Sequence, residues 1–312
     1  MDKVFTIRTV LFITVIVLCF TDLISPALAL ILGFIFSATL GFPLDHYRDK
    51  VTSHLLKISV VGLAFGLHIE EAVKASEEAI LITVLSIATT LSLGWGIARL
   101  LGINTKISHL ISSGTAICGG SAIATISPVI KAETKDITIA LAIVFFLNAL
   151  ALFVFPVVGN YLHLSQHDFG LWSAIAIHDT SSVVGAASRY GEEALKIATT
   201  VKLSRALWII PVAILSSFLF KSKESKVKIP WFILGFVVVV ILNTYIPFFE
   251  TSHIDKGFFF IAKKMLIVSL FLIGGGLSFK AIKNEGWKPI FLGSFLWIFI
   301  SISSLYFILH FK

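Results

Sequence analysis

The chain has 312 residues, of which 57% are hydrophobic and 14% charged, with a formal net charge of +7 and a mean hydropathy of +0.96. Soluble domains carry about 25% charged residues, so this composition excludes a soluble globular protein, and the positive charge bears on membrane orientation rather than on nucleic acid. The two cysteines, Cys19 and Cys118, lie in separate apolar runs, which excludes a disulfide framework, and neither a CxxC pair nor a Cys/His metal spacing is present.

Apolar runs of bilayer length recur along the whole chain. They predict an all-α polytopic membrane protein with about eleven transmembrane helices and a single transmembrane domain over 1–312. The predicted spans are residues 10–24, 26–40, 54–69, 79–101, 107–130, 137–158, 169–188, 195–220, 229–246, 258–279 and 289–311. The first run, with Lys3 and Arg8 before it and Ala27-Leu28-Ala29 after it, has the outline of a signal peptide. Cleavage there would cut into the second run, so 10–24 is read as a span.

Loop charges set the orientation. With a cytoplasmic N-terminus, thirteen cations fall inside: Lys3, Arg8, Arg48, Lys50, Arg99, Lys106, Lys221, Lys223, Lys226, Lys228, Lys280, Lys283 and Lys288. Seven fall outside: Lys74, Lys131, Lys135, Arg189, Lys196, Lys256 and Lys312. This is the positive-inside pattern. The acidic HIEEAVKASEEA then lies outside and the basic KSKESKVK inside.

Two internal similarities point to inverted repeats, a mark of secondary transporters. PALALILGFIFSATLGFP (26–43) resembles PWFILGFVVVVILNTYIP (230–247), and LKISVVGLAFGLHIEEAVK (56–74) resembles LIVSLFLIGGGLSFKAIK (266–283). Separately, AICGGSAIA lines up with AIHDTSSVV, and ALFVFP (151–156) with ALWIIP (206–211). This second pair sits two spans apart, which makes its members parallel rather than inverted.

The chemistry concentrates in two polar stretches at membrane depth. ISSGTAICGGSAIATISPVI (111–130) has a Gly-Gly pair flanked by Ser and Thr. Each Gly costs about 1 kcal/mol in a helix interior, so the helix is predicted to break there, with Ser121 as N-cap of a second half. A half-helix N-terminus attracts anions. The other reading is close packing of small residues. AIAIHDTSSVVGAA (174–187) predicts a second break, with Asp179 as a costly intramembrane charge that binds Na⁺, takes a proton or pairs with a cation, and with His178 able to titrate. A structural His–Asp bond is the alternative. Lys202 and Arg205 share a helix face near mid-bilayer and need anions. Asp179 and an anionic substrate are the two candidates. Asn148 is a weaker candidate, as a polar bridge.

These motifs together resemble the YeiH-type sulfate exporter family, which is itself similar to the bile acid/sodium symporter superfamily. The resemblance implies panel and core helix bundles and two discontinuous helices that cross near the substrate. Gly119 and Gly120 would lie at one break and Asp179 to Ser182 at the other. The GLHIEEA and GLSFKAI endings also look like that superfamily's pattern. Here both motif-bearing spans lie mid-chain, so a repeat would be permuted, and no ion site is carried over.

The expectation is therefore a secondary active transporter, an exporter in direction, that moves a small anion such as sulfate or a sulfonate by alternating access. Substrate would meet Thr115, Cys118, Gly119, Gly120, Ser121, Thr180, Ser181, Ser182, Lys202 and Arg205. Asn148, His178 and Asp179 would serve the coupling ion or proton. No cofactor or metal is called for beyond Na⁺ or H⁺. The partners are the anion, the lipid bilayer and a second copy in a homodimer, in the cell (inner) membrane. An anion channel and an intramembrane enzyme are the competing readings. The inverted similarity argues against the first, and the lack of a nucleophile motif against the second.

Overall fold

The computed structural model describes residues 3–21, 23–43, 45–220, 231–246, 254–276 and 286–311, and every regular element among them is helical. In chain order these are α1 (Lys3–Cys19), α2 (Pro26–Leu40), α3 (Asp45–Leu63), a 3-10 turn (Ala64–Gly66), α4 (Ile69–Leu101), α5 (Thr105–Ala116), α6 (Gly120–Val129), α7 (Thr134–Tyr161), α8 (Gln166–Ala176), α9 (Thr180–Tyr190), α10 (Glu192–Ala206), α11 (Ile209–Leu219), α12 (Trp231–Tyr245), α13 (Ile254–Gly276) and α14 (Trp287–Phe311). Among the described residues, five segments are long and apolar enough to cross a bilayer: 69–101, 135–161, 192–219, 254–276 and 287–311. The basic segment 221–228 and the second copy's ending, 277–283, lie outside the described residues.

Local signals set most boundaries. Ser25 caps α2 by accepting from the Leu28 N–H, with Pro26 in its first turn. Asn104 caps α5 through the Lys106 and Ile107 N–H groups, and Ser165 caps α8 through that of Asp168. One expectation fails here. The acidic segment expected as an outer loop forms the first turns of α4, where Glu70 and Glu71 complement the helix dipole.

The described helices form two compact units. One comprises residues 1–71 and 231–277, so it holds α1–α3, α12 and α13. Its core is a cluster of Phe12, Phe36, Phe42 and Phe271, with ring centroids 5.3–6.0 Å apart. Helices α2 and α13 approach so closely that a Cβ at Gly33 would collide with the Phe271 carbonyl, and one at Gly274 with that of Leu30. The described helices of both copies of the first internal similarity, up to Glu71 in one and Gly276 in the other, fall in this unit. Packing pairs α2 with α13, α3 with α12, and α3 with α13, a set that maps onto itself when the copies are exchanged.

The other unit comprises 72–230 and 278–312, which holds most of α4 together with α5–α11 and α14. All of the candidate site residues belong to it.

Candidate functional site

Within this unit, the two polar stretches each break where expected, yet neither runs straight on. Helix α5 ends at Ala116 and α6 starts at Gly120. The Lys106 ammonium, at the start of α5, donates to the Lys131 carbonyl beyond the end of α6, at 2.7 Å. A straight pair of helices would hold those residues about 35 Å apart. Gly114 and Ile123 face each other across the turn, with the Ile123 Cδ1 3.0 Å from where a Gly114 Cβ would sit. The chain therefore doubles back on itself, and α5–α6 is a helical hairpin with a tip at Ile117, Cys118 and Gly119.

The second stretch repeats this design. Helix α8 ends at Ala176 and α9 starts at Thr180. The Tyr190 hydroxyl, at the end of α9, donates to the Leu164 carbonyl ahead of α8 at 2.7 Å. The Tyr190 ring also stacks on Phe169, with centroids 3.8 Å apart. This hairpin has its tip at Ile177, His178 and Asp179.

Helix α7 joins the base of one hairpin to the base of the other. Its 28 residues extend about 42 Å, and each hairpin arm is about 15–18 Å long. The tips nevertheless touch: a Cβ at Gly119 would lie 3.3 Å from the Cα and Cβ of Asp179. The hairpins thus point at each other from opposite ends of α7. This corrects the expectation that residues 107–130 and 169–188 each run through the membrane and cross. They are discontinuous, but each returns to the side from which it came.

The packing is matched between halves. Both arms of the first hairpin contact α7, and both arms of the second contact α10. Helix α9 also contacts α7, while α6 contacts α11, and α14 contacts both α5 and α8.

The meeting point is held by two buried cations on α10. Lys202 and Arg205 are both fully buried, at 0% exposure. The Lys202 Nζ donates to the carbonyls of Ile117 (3.1 Å), Ala174 (3.2 Å) and Ile177 (2.6 Å). Three carbonyl acceptors match the three donors of a lysine ammonium. Arg205 donates from Nε to Ala116 (2.9 Å), from Nη1 to Ile175 (2.8 Å), and from Nη2 to Ala116 again. All five carbonyls belong to the C-terminal ends of α5 and α8, where the helix dipole is negative and carbonyls lack helical partners. Neither cation pairs with a carboxylate among the described residues, so the ion pair with Asp179 considered from sequence is not formed. Their donors are directed at the hairpin tips rather than held open.

The opposite ends of the arms differ. At α9 the N-cap is Asp179, whose Oδ2 accepts from the Ser181 N–H at 3.0 Å and from the Ser181 hydroxyl. At α6 the N-cap is Gly119, at a φ of 62°, and no side chain caps it. Helix α6 thus starts before Ser121, which sits in its first turn rather than at the cap. Gly120 and Ser121 are partly open, while Cys118, Thr180, Ser181 and Ser182 are buried. Asn148 bridges α7 to the second tip: its Oδ1 accepts from the N–H groups of His178 (3.0 Å) and Asp179 (3.2 Å).

Several buried polar atoms have no partner among the described residues: the Thr115 hydroxyl, the Asn148 Nδ2 and both ring nitrogens of His178. So do the hydroxyls of Ser113 and Thr200, which sequence reasoning did not single out. It also missed the five tip carbonyls and Phe145, whose ring lies 2.9 Å from where a Gly120 Cβ would be. An unpaired Lys and Arg in an apolar run was the one signal for the carbonyls. No cluster of His, Cys, Asp and Glu suited to a metal occurs among the described residues.

Apolar helices of bilayer length and a polar tip-to-tip centre define a helical membrane protein with an internal polar site. The family profile described as "Conserved hypothetical protein 698" matches residues 5–293, and the chain belongs to this family. It is 48% identical to a UPF0324 membrane protein of Bacteroides thetaiotaomicron over 286 residues, covering 91% of this chain and 86% of the relative. It is 48% identical to one from Photobacterium profundum over 302 residues (96% and 91%), and 46% identical to one from Vibrio vulnificus over 299 residues (94% and 96%). No solved structure matches the chain.

Proposed function

We propose that the chain is a secondary transporter that moves a small anion, such as sulfate or a sulfonate, outward across the cell membrane by alternating access. The observation that carries this is the charge balance at the tips. The two cations contribute +2 and Asp179 contributes −1. Two helix C-termini and two N-termini contribute about half a unit each, with opposite signs. The balance is about +1, and the N-terminus of α6, with no side chain to cap it, is where an anion would be received.

Thr115, Cys118, Gly119, Gly120 and Ser121 would line this end. Thr180, Ser181 and Ser182 would add donors from the second hairpin. Lys202 and Arg205 would act through their charge while holding the tips. The matched packing of the two hairpins supports an inverted pair, because re-entrant hairpins separated by one spanning helix enter from opposite faces. This removes the parity conflict raised by the sequence. With a cytoplasmic N-terminus, it also moves Lys131 and Lys135 inside, so that fifteen cations face five, a stronger positive-inside bias.

The test is flux in proteoliposomes holding the purified chain, with radiolabelled sulfate and methanesulfonate as probes. Saturable flux against a gradient supports the reading. Non-saturating, gradient-independent conductance would make it a channel, and the absence of flux for a panel of small anions would refute it.

A further inference from the structure

We infer that Asp179 is the site of a coupled monovalent cation, a proton or Na⁺, and that filling it raises the affinity of the α6 N-terminus for an anion. This deepens the anion-transport reading above and rests on it. Asp179 is only 8% exposed, and an ionisable group at such depth is costly unless it is paired or used. It lacks the pair. Lys202, on α10, gives its donors to three carbonyls. Arg205, on the same helix, bonds to Ala116 and Ile175. From its own hairpin Asp179 meets His178, which is next in sequence, and Ser181. From α7 it meets Asn148, through its backbone N–H. From the first tip it meets Gly119. The second sign of a polar occupant is at the same tip, where both ring nitrogens of His178, one of them an acceptor in a neutral imidazole, are buried without partners among the described residues.

The carboxylate and the incoming anion compete for one positive region. Asp179 sits against Gly119, the cap position of the helix end that would take the anion. An ionised Asp179 leaves about one positive charge there, and a bound cation leaves about two. The second state matches a dianion such as sulfate, and the first does not. Cation and anion would therefore bind together.

Asp179→Asn is a clean variant, because Asn caps helices as well as Asp does but cannot hold a proton or draw Na⁺. The experiment measures thermal unfolding and sulfate binding of the purified full chain. One arm compares Na⁺ gluconate with choline gluconate, and the other varies pH in choline gluconate. The wild type is expected to unfold at higher temperature with its cation bound. It should also bind sulfate about 5- to 150-fold more tightly in Na⁺ if that is the ion, or at lower pH if it is the proton. Asp179→Asn should lose both responses. A wild type indifferent to both cations overturns the inference, as does a cation response that survives in Asp179→Asn. A cation response that depends on Asp179, with no sulfate or methanesulfonate binding at all, overturns the anion reading and leaves the cation site standing.

Discussion

Replacing Lys202 by Met keeps the length and apolar stem of the side chain and removes its charge and its three donors. Three carbonyls, those of Ile117, Ala174 and Ile177, then lose their partner in a fully buried setting. Each orphaned buried group costs about 1–3 kcal/mol. Against this stands relief from burying an ammonium, worth several kcal/mol. Breaking a buried charged contact by removing one partner usually nets about 3–5 kcal/mol of destabilisation. The loss should be local, because these carbonyls sit on the two tips and nowhere else. Hydrogen exchange read by mass spectrometry on the detergent-solubilised protein is the direct assay. A loss of about 3 kcal/mol at the tips speeds exchange there about 100-fold, over residues 111–123 and 171–183, with α14 and the phenylalanine cluster of the other unit unchanged. Unchanged exchange at the tips, together with lost sulfate binding, would refute the reasoning, because it would put the Lys202 nitrogen on the anion instead of on the backbone.

Gly119→Ala forces a methyl group into a φ of 62°, 3.3 Å from Asp179. It should cost about 1–2 kcal/mol for the backbone alone and weaken sulfate binding as well. Gly286→Ala has a φ of 78° and open space around it, so it should cost stability without touching sulfate. Equal effects from the two would remove Gly119 from the site. Single cysteines test the hairpins: Asn104→Cys and Ala132→Cys should react with an impermeant maleimide from one face of the membrane and Leu162→Cys from the other, over the low background of the buried Cys19 and Cys118. Labelling of positions 104 and 132 from opposite faces would mean that the first stretch passes straight through. Tyr190→Phe removes the bond that closes the second hairpin and should lower stability by about 0.5–1.5 kcal/mol in thermal unfolding, while the stacking on Phe169 stays. No loss of stability would show that the hydroxyl is not needed for closure.

Much of the site was legible because its parts are local. Two glycines after Cys118, and Asp, Thr and Ser after His178, are poor helix interiors and good helix ends, so both breaks could be placed within a residue or two. Lys202 and Arg205 stood out because buried cations are rare in apolar runs. Their partners did not stand out, because backbone carbonyls carry no sequence signal. A search confined to side chains leads to Asp179, which the structure leaves unpaired.

The sequence by itself therefore determined the membrane class, the approximate course of most of the described helices and where two of them stop. It could not determine the direction in which the chain leaves each break. A Gly-Gly pair ends one helix and Asp179 starts another with the same local chemistry whether the next helix continues onward or turns back. That choice rests on contacts between residues 25 and 26 positions apart, Lys106 with Lys131 and Tyr190 with Leu164, and on α10 drawing both tips to one place. Only the tertiary structure brings these together, and it turns two presumed crossings into two hairpins that meet end to end.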